Sequence, residues 1–328
     1  MGARKEESVC ENYTAATDPE KRENTVEAIN RLRREKNAVI MAHYYQRDEI
    51  QQIADFIGDS LALARKAAET DADIIVMAGV HFMGETAAIL CPGKKVLVPD
   101  LEAGCSLADS CPADEFAEFV AAHPDHTVIS YVNTSAAVKA HTDIVVTSGN
   151  ARKIIDSLPA DEKIIFGPDR NLGDYINRVT GRQMLLWNGC CHVHDRFSLE
   201  AVLDMKKEHP GAKILVHPEC RRSLQLIADK VGSTAALLDF ARNDEAKEFI
   251  VVTESGILFE MQRNCPEKVF LPAPAEDAEC QCNKCEYMRL NTLEKIRLAL
   301  EQEAPVVSVD AETARKALRP IKRMLELS

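Results

Sequence analysis

Three passages of this chain repeat one another in order and in register, which constrains the fold more tightly than composition does. The first runs Asn37-Ala-Val-Ile-Met-Ala-His43-Tyr-Tyr45, then Ile53-Ala-Asp-Phe-Ile-Gly-Asp-Ser60, Asp73-Ile-Ile-Val-Met and Lys95-Val-Leu-Val-Pro99, and reaches Cys105. The second reads Thr127-Val-Ile-Ser-Tyr131-Val-Asn133, His141-Thr-Asp-Ile-Val-Val-Thr-Ser148, Lys163-Ile-Ile-Phe and Met184-Leu-Leu-Trp, then Cys190-Cys191. The third reads Lys213-Ile-Leu-Val-His217-Pro-Glu219, Ile227-Ala-Asp-Lys-Val-Gly-Ser233-Thr234, Phe249-Ile-Val-Val and Val269-Phe-Leu-Pro, then Cys280, Cys282 and Cys285. His43 to Ser60, Tyr131 to Ser148 and His217 to Thr234 each span 17 positions.

Continuous Val- and Ile-rich runs of this length suit strands of a parallel sheet covered on both faces, and the stretches between them have helical spacing. Each unit therefore reads as a small αβα layer. Cys105 to Cys191 is 86 positions and Cys191 to Cys285 is 94, the size of a small α/β domain. The expected architecture is α/β: three pseudo-symmetric αβα domains with parallel sheets around a central pseudo-threefold axis. Their bounds are 25–110, 111–195 and 196–285, with helices over 286–328 packing on the first and a poorly ordered extension over 1–24. Ligands of open α/β sheets lie beyond the carboxyl ends of the strands. There the three copies switch to His43/Tyr45, Tyr131/Asn133 and His217/Glu219, and a shared axis would gather these residues with the cysteines.

With 328 residues, 46% apolar and 28% charged, the chain has the balance of a soluble globular protein. A net charge of -12 with scattered Lys and Arg argues against nucleic acid and anionic membranes as partners. No apolar run approaches the ~18 residues of a membrane span, and the first residues lack the apolar core of a signal peptide. A cytoplasmic location is expected. In a reducing compartment, 11 cysteines point to metal or redox chemistry rather than a disulfide framework.

Cys10, Cys91, Cys220 and Cys265 lack clustered partners and read as buried or incidental thiols. Cys111 looks spare beside Cys105, and one of Cys190 and Cys191 is a ligand candidate. Cys282-Asn-Lys-Cys285 alone is compatible with zinc, iron–sulfur or a redox pair. A zinc ribbon needs two such knuckles, whereas this chain offers one cysteine site per repeat. Three thiolates suit a 4Fe-4S cluster with one iron lacking a protein ligand, and an open iron is a Lewis acid. An iron–sulfur redox sensor and an iron–sulfur hydro-lyase are the competing readings; a sensor needs no His/Glu/Tyr constellation and usually carries an effector surface.

Ala42-His43-Tyr-Tyr45-Gln, Gly58-Asp-Ser60, Tyr131-Val-Asn133-Thr-Ser, Val146-Thr-Ser148, Phe166-Gly-Pro-Asp-Arg-Asn-Leu, Cys191-His-Val-His194, His217-Pro-Glu219, Gly232-Ser-Thr234 and Cys285-Glu-Tyr-Met closely resemble the motifs of the quinolinate synthase family, from about residue 25 nearly to the C-terminus. The resemblance implies a transferase of de novo NAD synthesis that condenses iminoaspartate with dihydroxyacetone phosphate to quinolinate, phosphate and water on a three-cysteine 4Fe-4S cluster. It implies functional coupling to an aspartate-oxidising enzyme that supplies iminoaspartate. Carried over residue by residue, the ligands are Cys105, Cys191 and Cys285, the last standing three positions before Met288. Cys280 and Cys282 are then extra. Some members of the family carry additional cysteines there, proposed to form a reversible disulfide, and their pairing stays open.

The reaction needs proton transfers at several carbons. Glu219 is the candidate general base, on the expectation that a dry cleft raises its pKa toward neutrality. His217 projects to the same side of an extended segment. Tyr45 and Tyr131 are candidate donors to a carbonyl or enolate oxygen, and His194 is a further acid–base candidate; the alternative for each is a satisfied core residue. Ser60, Ser148, Ser233 and Thr234 are expected to open helices whose free N–H groups hold anions, or simply to cap them. Asn133 and His43 complete the substrate-contacting set, as in the family.

Overall fold

The computed structural model describes residues 19–276 and 283–328. Residues 1–18 and the cysteines Cys10, Cys280 and Cys282 lie outside the described residues.

Among the described residues, twelve strands form three four-stranded sheets, and every strand pair is parallel. The first holds β1 (Ala38–His43), β2 (Phe56–Gly58), β3 (Ile74–Ala78) and β4 (Lys95–Leu97). The second holds β5 (Thr127–Tyr131), β6 (Ile144–Val146), β7 (Ile164–Gly167) and β8 (Leu185–Leu186). The third holds β9 (Lys213–Val216), β10 (Lys230–Val231), β11 (Glu248–Val252) and β12 (Val269–Pro272). The orders β2-β1-β3-β4, β6-β5-β7-β8 and β10-β9-β11-β12 are the same topology three times.

The apolar runs are continuous because both faces of each sheet are buried. Along β1, Val39 and Met41 enter the core shared by all three units, while Ile40 and Ala42 pack outward with Ile29, Leu32, Ile296 and Leu300. Ile129 and Val128 divide in the same way in β5, as do Leu215 and Ile214 in β9. Each such side chain removed from water contributes roughly 1.5–3 kcal/mol. A charge at Met41 or Ile40 would therefore break one packing layer or the other.

A recurring carboxylate fixes the register of each unit. Asp55 accepts the Ile40 N–H through its side chain (2.8 Å) and donates its own N–H to the Ile40 carbonyl (2.9 Å). Asp143 does the same to Val128 (3.0 and 2.9 Å), and Asp229 to Ile214 (2.8 and 2.9 Å). These two-way straps tie the start of the second strand to the first at one separation, 15 residues. They satisfy an N–H on a buried strand that would otherwise lack a partner.

Two terminal features differ from the sequence expectation. A helix begins at Pro19 and runs to Glu35, so residues 19–24 are helical rather than a ragged extension. Proline is favoured at a first helical position, and Ile29 and Leu32 give the helix a buried stripe. Helix Leu293–Gln302 packs on that helix and on β3 of the first unit. Helix Ala311–Leu327, expected on the first unit too, lies against β6 and helix Ala136–Lys139 of the second as well as helix His81–Leu90 of the first. Its Ala317, Ile321 and Met324 are buried in the shared core, where they clamp the two units together. Among the described residues no helix is long and apolar enough to cross a membrane.

Candidate active site

In each sheet the chain steps from the first strand to one side for the second and to the other side for the third. This leaves a crevice between the carboxyl ends of the first and third strands. From β1, β5 and β9 emerge His43/Tyr45, Tyr131/Asn133 and His217/Glu219, and all six residues line one cavity. The empty space of the cavity, open solvent at its mouth included, is about 740 Å³. Ser60, Ser148, His194, Thr234 and the three cysteines Cys105, Cys191 and Cys285 line it too.

Glu219 is the hub. Tyr131 donates its hydroxyl to Glu219 Oε1 (2.6 Å), and His194 Nδ1 lies 3.0 Å from Oε2. Burial alone would push this carboxyl up, but His194, His217 and the Tyr131 hydroxyl outweigh it and hold the group at about 2. The sequence expectation had the opposite sign, because it counted the dry cleft and not the donors that enter it. His43 and His217 are pulled down by burial to about 4 and about 3, with the Glu219 charge opposing the fall, so both rings are neutral at physiological pH. Each accepts at Nδ1 the N–H of the residue two positions on: Tyr45 (3.2 Å) for His43 and Glu219 (3.4 Å) for His217. A neutral ring that accepts at Nδ1 carries its proton on Nε2, so these two histidines are matched neutral donors. Burial raises both tyrosines well above the usual phenol value, with Glu219 adding to the rise.

The residues expected to open helices divide. Ser60 and Thr234 are the first residues of the helices Ser60–Glu69 and Thr234–Asn243. The caps are Asp59, which accepts the Ala62 N–H (3.0 Å), and Ser233, which accepts the Ala236 N–H (3.3 Å). Ser233 is absent from the cavity lining, and capping accounts for it. Ser148 opens no helix, contrary to expectation, since the helix there begins at Ala151. Asn150 Oδ1 takes the Thr147 N–H (2.6 Å) and closes a turn first, and Ser148 lines the cavity beside Tyr131.

Each cavity cysteine immediately precedes a four-residue helix: Ser106–Asp109 after Cys105, His192–Asp195 after Cys191 and Glu286–Arg289 after Cys285. Backbone N–H groups of Leu107 and Ala108, of His194, and of Tyr287 and Met288 face the three sulfurs. Burial pushes the Cys105 and Cys285 thiols up to about 12 and Cys191 well above its usual value. Cys190 is not in the cavity lining, and Cys111 is buried in a separate cluster with Phe116 and Val128. Cys191, His194 and Glu219 also bring a sulfur, a nitrogen and an oxygen within 4.8 Å of one another and could hold a metal ion. His194 Nδ1 itself lies 3.0 Å from Glu219 Oε2 and 3.3 Å from Cys191 Sγ.

Several residues escaped the sequence reading. Thr253, just past β11, bonds to both Tyr45 (2.8 Å) and His194 (2.9 Å). Glu254 accepts the Cys285 N–H (3.0 Å), and Asp169, just past β7, accepts the Cys191 N–H (3.3 Å). Lys139 is fully buried and donates to the carbonyls of Val132 (2.8 Å) and Thr134, holding the loop that carries Asn133. The first three stand at third-strand carboxyl ends, so the rule that located His43 and Glu219 would have found them had it been applied to every strand.

The sequence matches the family described as "Quinolinate synthetase A protein" over residues 27–326. A quinolinate synthase of Thermosynechococcus vestitus is 55% identical over 96% of this chain and 98% of its own length. One from a Synechocystis strain is 54% identical over 96% of this chain and 100% of its own, and one from Chloroherpeton thalassium is 54% identical over 92% and 94%.

Proposed function

Because this chain belongs to the quinolinate synthetase A family, we propose that its central cavity condenses iminoaspartate with dihydroxyacetone phosphate to quinolinate, with loss of phosphate and water, as a transferase of de novo NAD synthesis. One observation carries the reading: a cysteine from each of three units opens onto the cavity that also holds the Glu219, His194 and Tyr131 network. A redox sensor would have no use for that network. The unpaired state of the described cysteines agrees with a reducing cytoplasm, where an aspartate-oxidising enzyme would supply iminoaspartate.

Cys105, Cys191 and Cys285 would hold the 4Fe-4S cluster. The donor set fits: the sulfurs are soft ligands, backbone N–H groups face them, and burial keeps them neutral thiols unless a cationic metal draws off their protons. When bound, such a cluster supplies an iron without a protein ligand that acts as a Lewis acid on a substrate oxygen.

The side chains divide the remaining work. Neutral His43 and His217 offer Nε2–H donors to substrate carboxylates without adding charge. The helix that starts at Thr234 presents free N–H groups beside a neutral Ser233 cap, whereas the helix at Ser60 already carries the Asp59 carboxyl at its N-terminus. The Thr234 end is therefore the better seat for a carboxylate or phosphate. Asn133, Ser60 and Ser148 orient the ligand from the other units. Glu219 is the proton acceptor. At about 2 it is a weak base at rest, but an anionic substrate drawn in beside it raises its pKa by like-charge repulsion and turns it into a stronger one.

The test is anaerobic reconstitution with iron and sulfide, followed by supply of dihydroxyacetone phosphate and of iminoaspartate made in situ by an aspartate-oxidising enzyme. Quinolinate is the expected product. None from a fully loaded sample overturns the reading.

A further inference from the structure

Each loop that delivers a residue to the cavity from a first strand runs into a short helix: Asp48–Ile53 after Tyr45, Ala136–Lys139 after Asn133 and Arg222–Leu226 after Glu219. Helical side chains lean back toward the helix N-terminus, so a residue late in such a helix can reach the loop that leads into it. Gln51, Lys139 and Gln225 do so, and all three are buried. Gln51 Nε2 donates to the carbonyls of Tyr44 (3.0 Å) and Gln46 (2.9 Å). Lys139 Nζ donates to those of Val132 (2.8 Å) and Thr134. Gln225 Nε2 donates to those of Pro218 (2.8 Å) and Cys220 (2.7 Å). Each donor stands six residues beyond Tyr45, Asn133 or Glu219 and takes the carbonyl on either side of it.

A buried carbonyl without a donor is costly, and these lie past the ends of the strands. Holding one on each side of a residue also restricts the backbone rotations between them, because each peptide group is planar and moves as a unit. Lysine is almost never fully buried unless it is paired, and here the partners are the two carbonyls. The same three side chains also touch one another's units in cyclic order. Gln51 of the first unit reaches the Gly256 carbonyl of the third (3.0 Å). Gln225 of the third accepts at Oε1 from Arg178 of the second, and Lys139 Nζ of the second lies 5.4 Å from the centre of the Phe82 ring of the first.

We propose that Gln51, Lys139 and Gln225 are one positioning device repeated three times: each clamps the two carbonyls that flank a cavity residue and thereby fixes Tyr45, Asn133 and Glu219 toward the shared ligand. Paired donors on one side-chain end are what the device requires, which an amide and an amine both supply. The letters therefore differ between repeats while the contact stays the same. The kinetic effect rests on the proposed quinolinate synthesis, whereas the ordering of the loops does not.

The test compares Lys139→Gln, which places in the second unit the side chain that the other two use, with Lys139→Met, which keeps length and removes the donors. Hydrogen exchange of the reconstituted protein, read by mass spectrometry, reports each loop separately. Lys139→Met is expected to exchange at least about tenfold faster over residues 131–135, with residues 43–47 and 217–221 at wild-type rates, and Lys139→Gln to match the wild type throughout. In the quinolinate assay the effect should follow the clamped residue. Lys139→Met, which loosens the ligand-orienting Asn133, is expected to raise KM at least about tenfold with kcat within about threefold. Gln225→Met, which loosens Glu219 while Arg178 keeps its ion pair with Asp174 (3.0 Å), is expected to lower kcat at least about tenfold with KM within about threefold. Faster exchange over the whole chain in Lys139→Met overturns the proposal, since the lysine would then serve general stability. Equal loosening of 131–135 in the Gln and Met variants overturns it too, because the shared donor geometry would not be what matters. If Lys139→Met does not fold, Lys139→Gln decides alone: wild-type exchange over 131–135 upholds the clamp and faster exchange there refutes it. A wild type that makes no quinolinate sinks the proposed reaction and leaves the exchange comparison to judge the clamp.

Discussion

Acid should destabilise this protein well before its carboxylates are protonated, and two buried histidines should be the cause. His43 and His217 are held down to about 4 and about 3 by burial, against about 6.5 in an unfolded chain. Below pH 6.5 the unfolded chain takes up two protons that the folded chain refuses, so stability falls as pH falls. The loss ends only when pH reaches the folded values. At pH 5 each histidine removes about 2 kcal/mol relative to pH 7.5, about 4 kcal/mol together, which is a large part of a typical folding free energy. Glu219 contributes almost nothing in this window: its folded value is depressed, so its stabilisation is present above about 4.5 and is lost only as pH falls toward 2. Urea unfolding of the reconstituted protein at pH 7.5 and 5.0 measures the effect, followed by the single tryptophan, Trp187, which packs edge-on against Phe116 and Phe119. The double variant His43→Gln/His217→Gln should lose most of the difference between the two pH values, leaving the smaller share of half-buried His192, whose pKa is also lowered by burial. An undiminished difference in the double variant would refute the assignment to these rings, and equal wild-type stability at the two pH values would refute the burial argument itself.

Glu219→Gln should keep the iron–sulfur absorbance but reduce turnover by at least ~10²-fold, since an amide accepts no proton and sets an N–H against Tyr131 or His194; near-normal turnover would move the base elsewhere. Cys105→Ala, Cys191→Ala and Cys285→Ala should each abolish the visible absorbance of the reconstituted chain, while Cys111→Ala and Cys265→Ala, buried away from the cavity, should retain it. Asp229→Ala leaves the Ile214 N–H without its side-chain partner and should cost about 1–3 kcal/mol in chemical denaturation, with a comparable loss for Asp143→Ala at Val128. No loss at either position would show that water replaces the strap.

What the sequence made legible is what each unit decides by itself. Strand runs such as Val39–Ala42 announce themselves because both faces are buried, and that demand acts on every position in turn. The 17-residue spacing was visible as letters, yet its cause was not. Asp55, Asp143 and Asp229 look like turn residues until the partner N–H is seen. The Ser148 helix start was lost to the Asn150 side chain, which outcompeted the backbone over three residues. Groups whose behaviour depends on another unit were the least legible. Glu219 read alone is a carboxyl in a dry cleft, and dryness predicts a raised pKa; Tyr131 arrives from 88 positions away in the second unit, and His194 comes from the same unit, to reverse the sign. The same holds for Tyr45, whose hydroxyl finds its partners Thr234 and Thr253 only once the third unit arrives. A threefold repeat makes that limit systematic. The repeat shows which positions converge on the axis, but three copies that evolve different residues at equivalent positions, His43/Tyr45, Tyr131/Asn133 and His217/Glu219, acquire their chemistry only from the contacts between unlike copies.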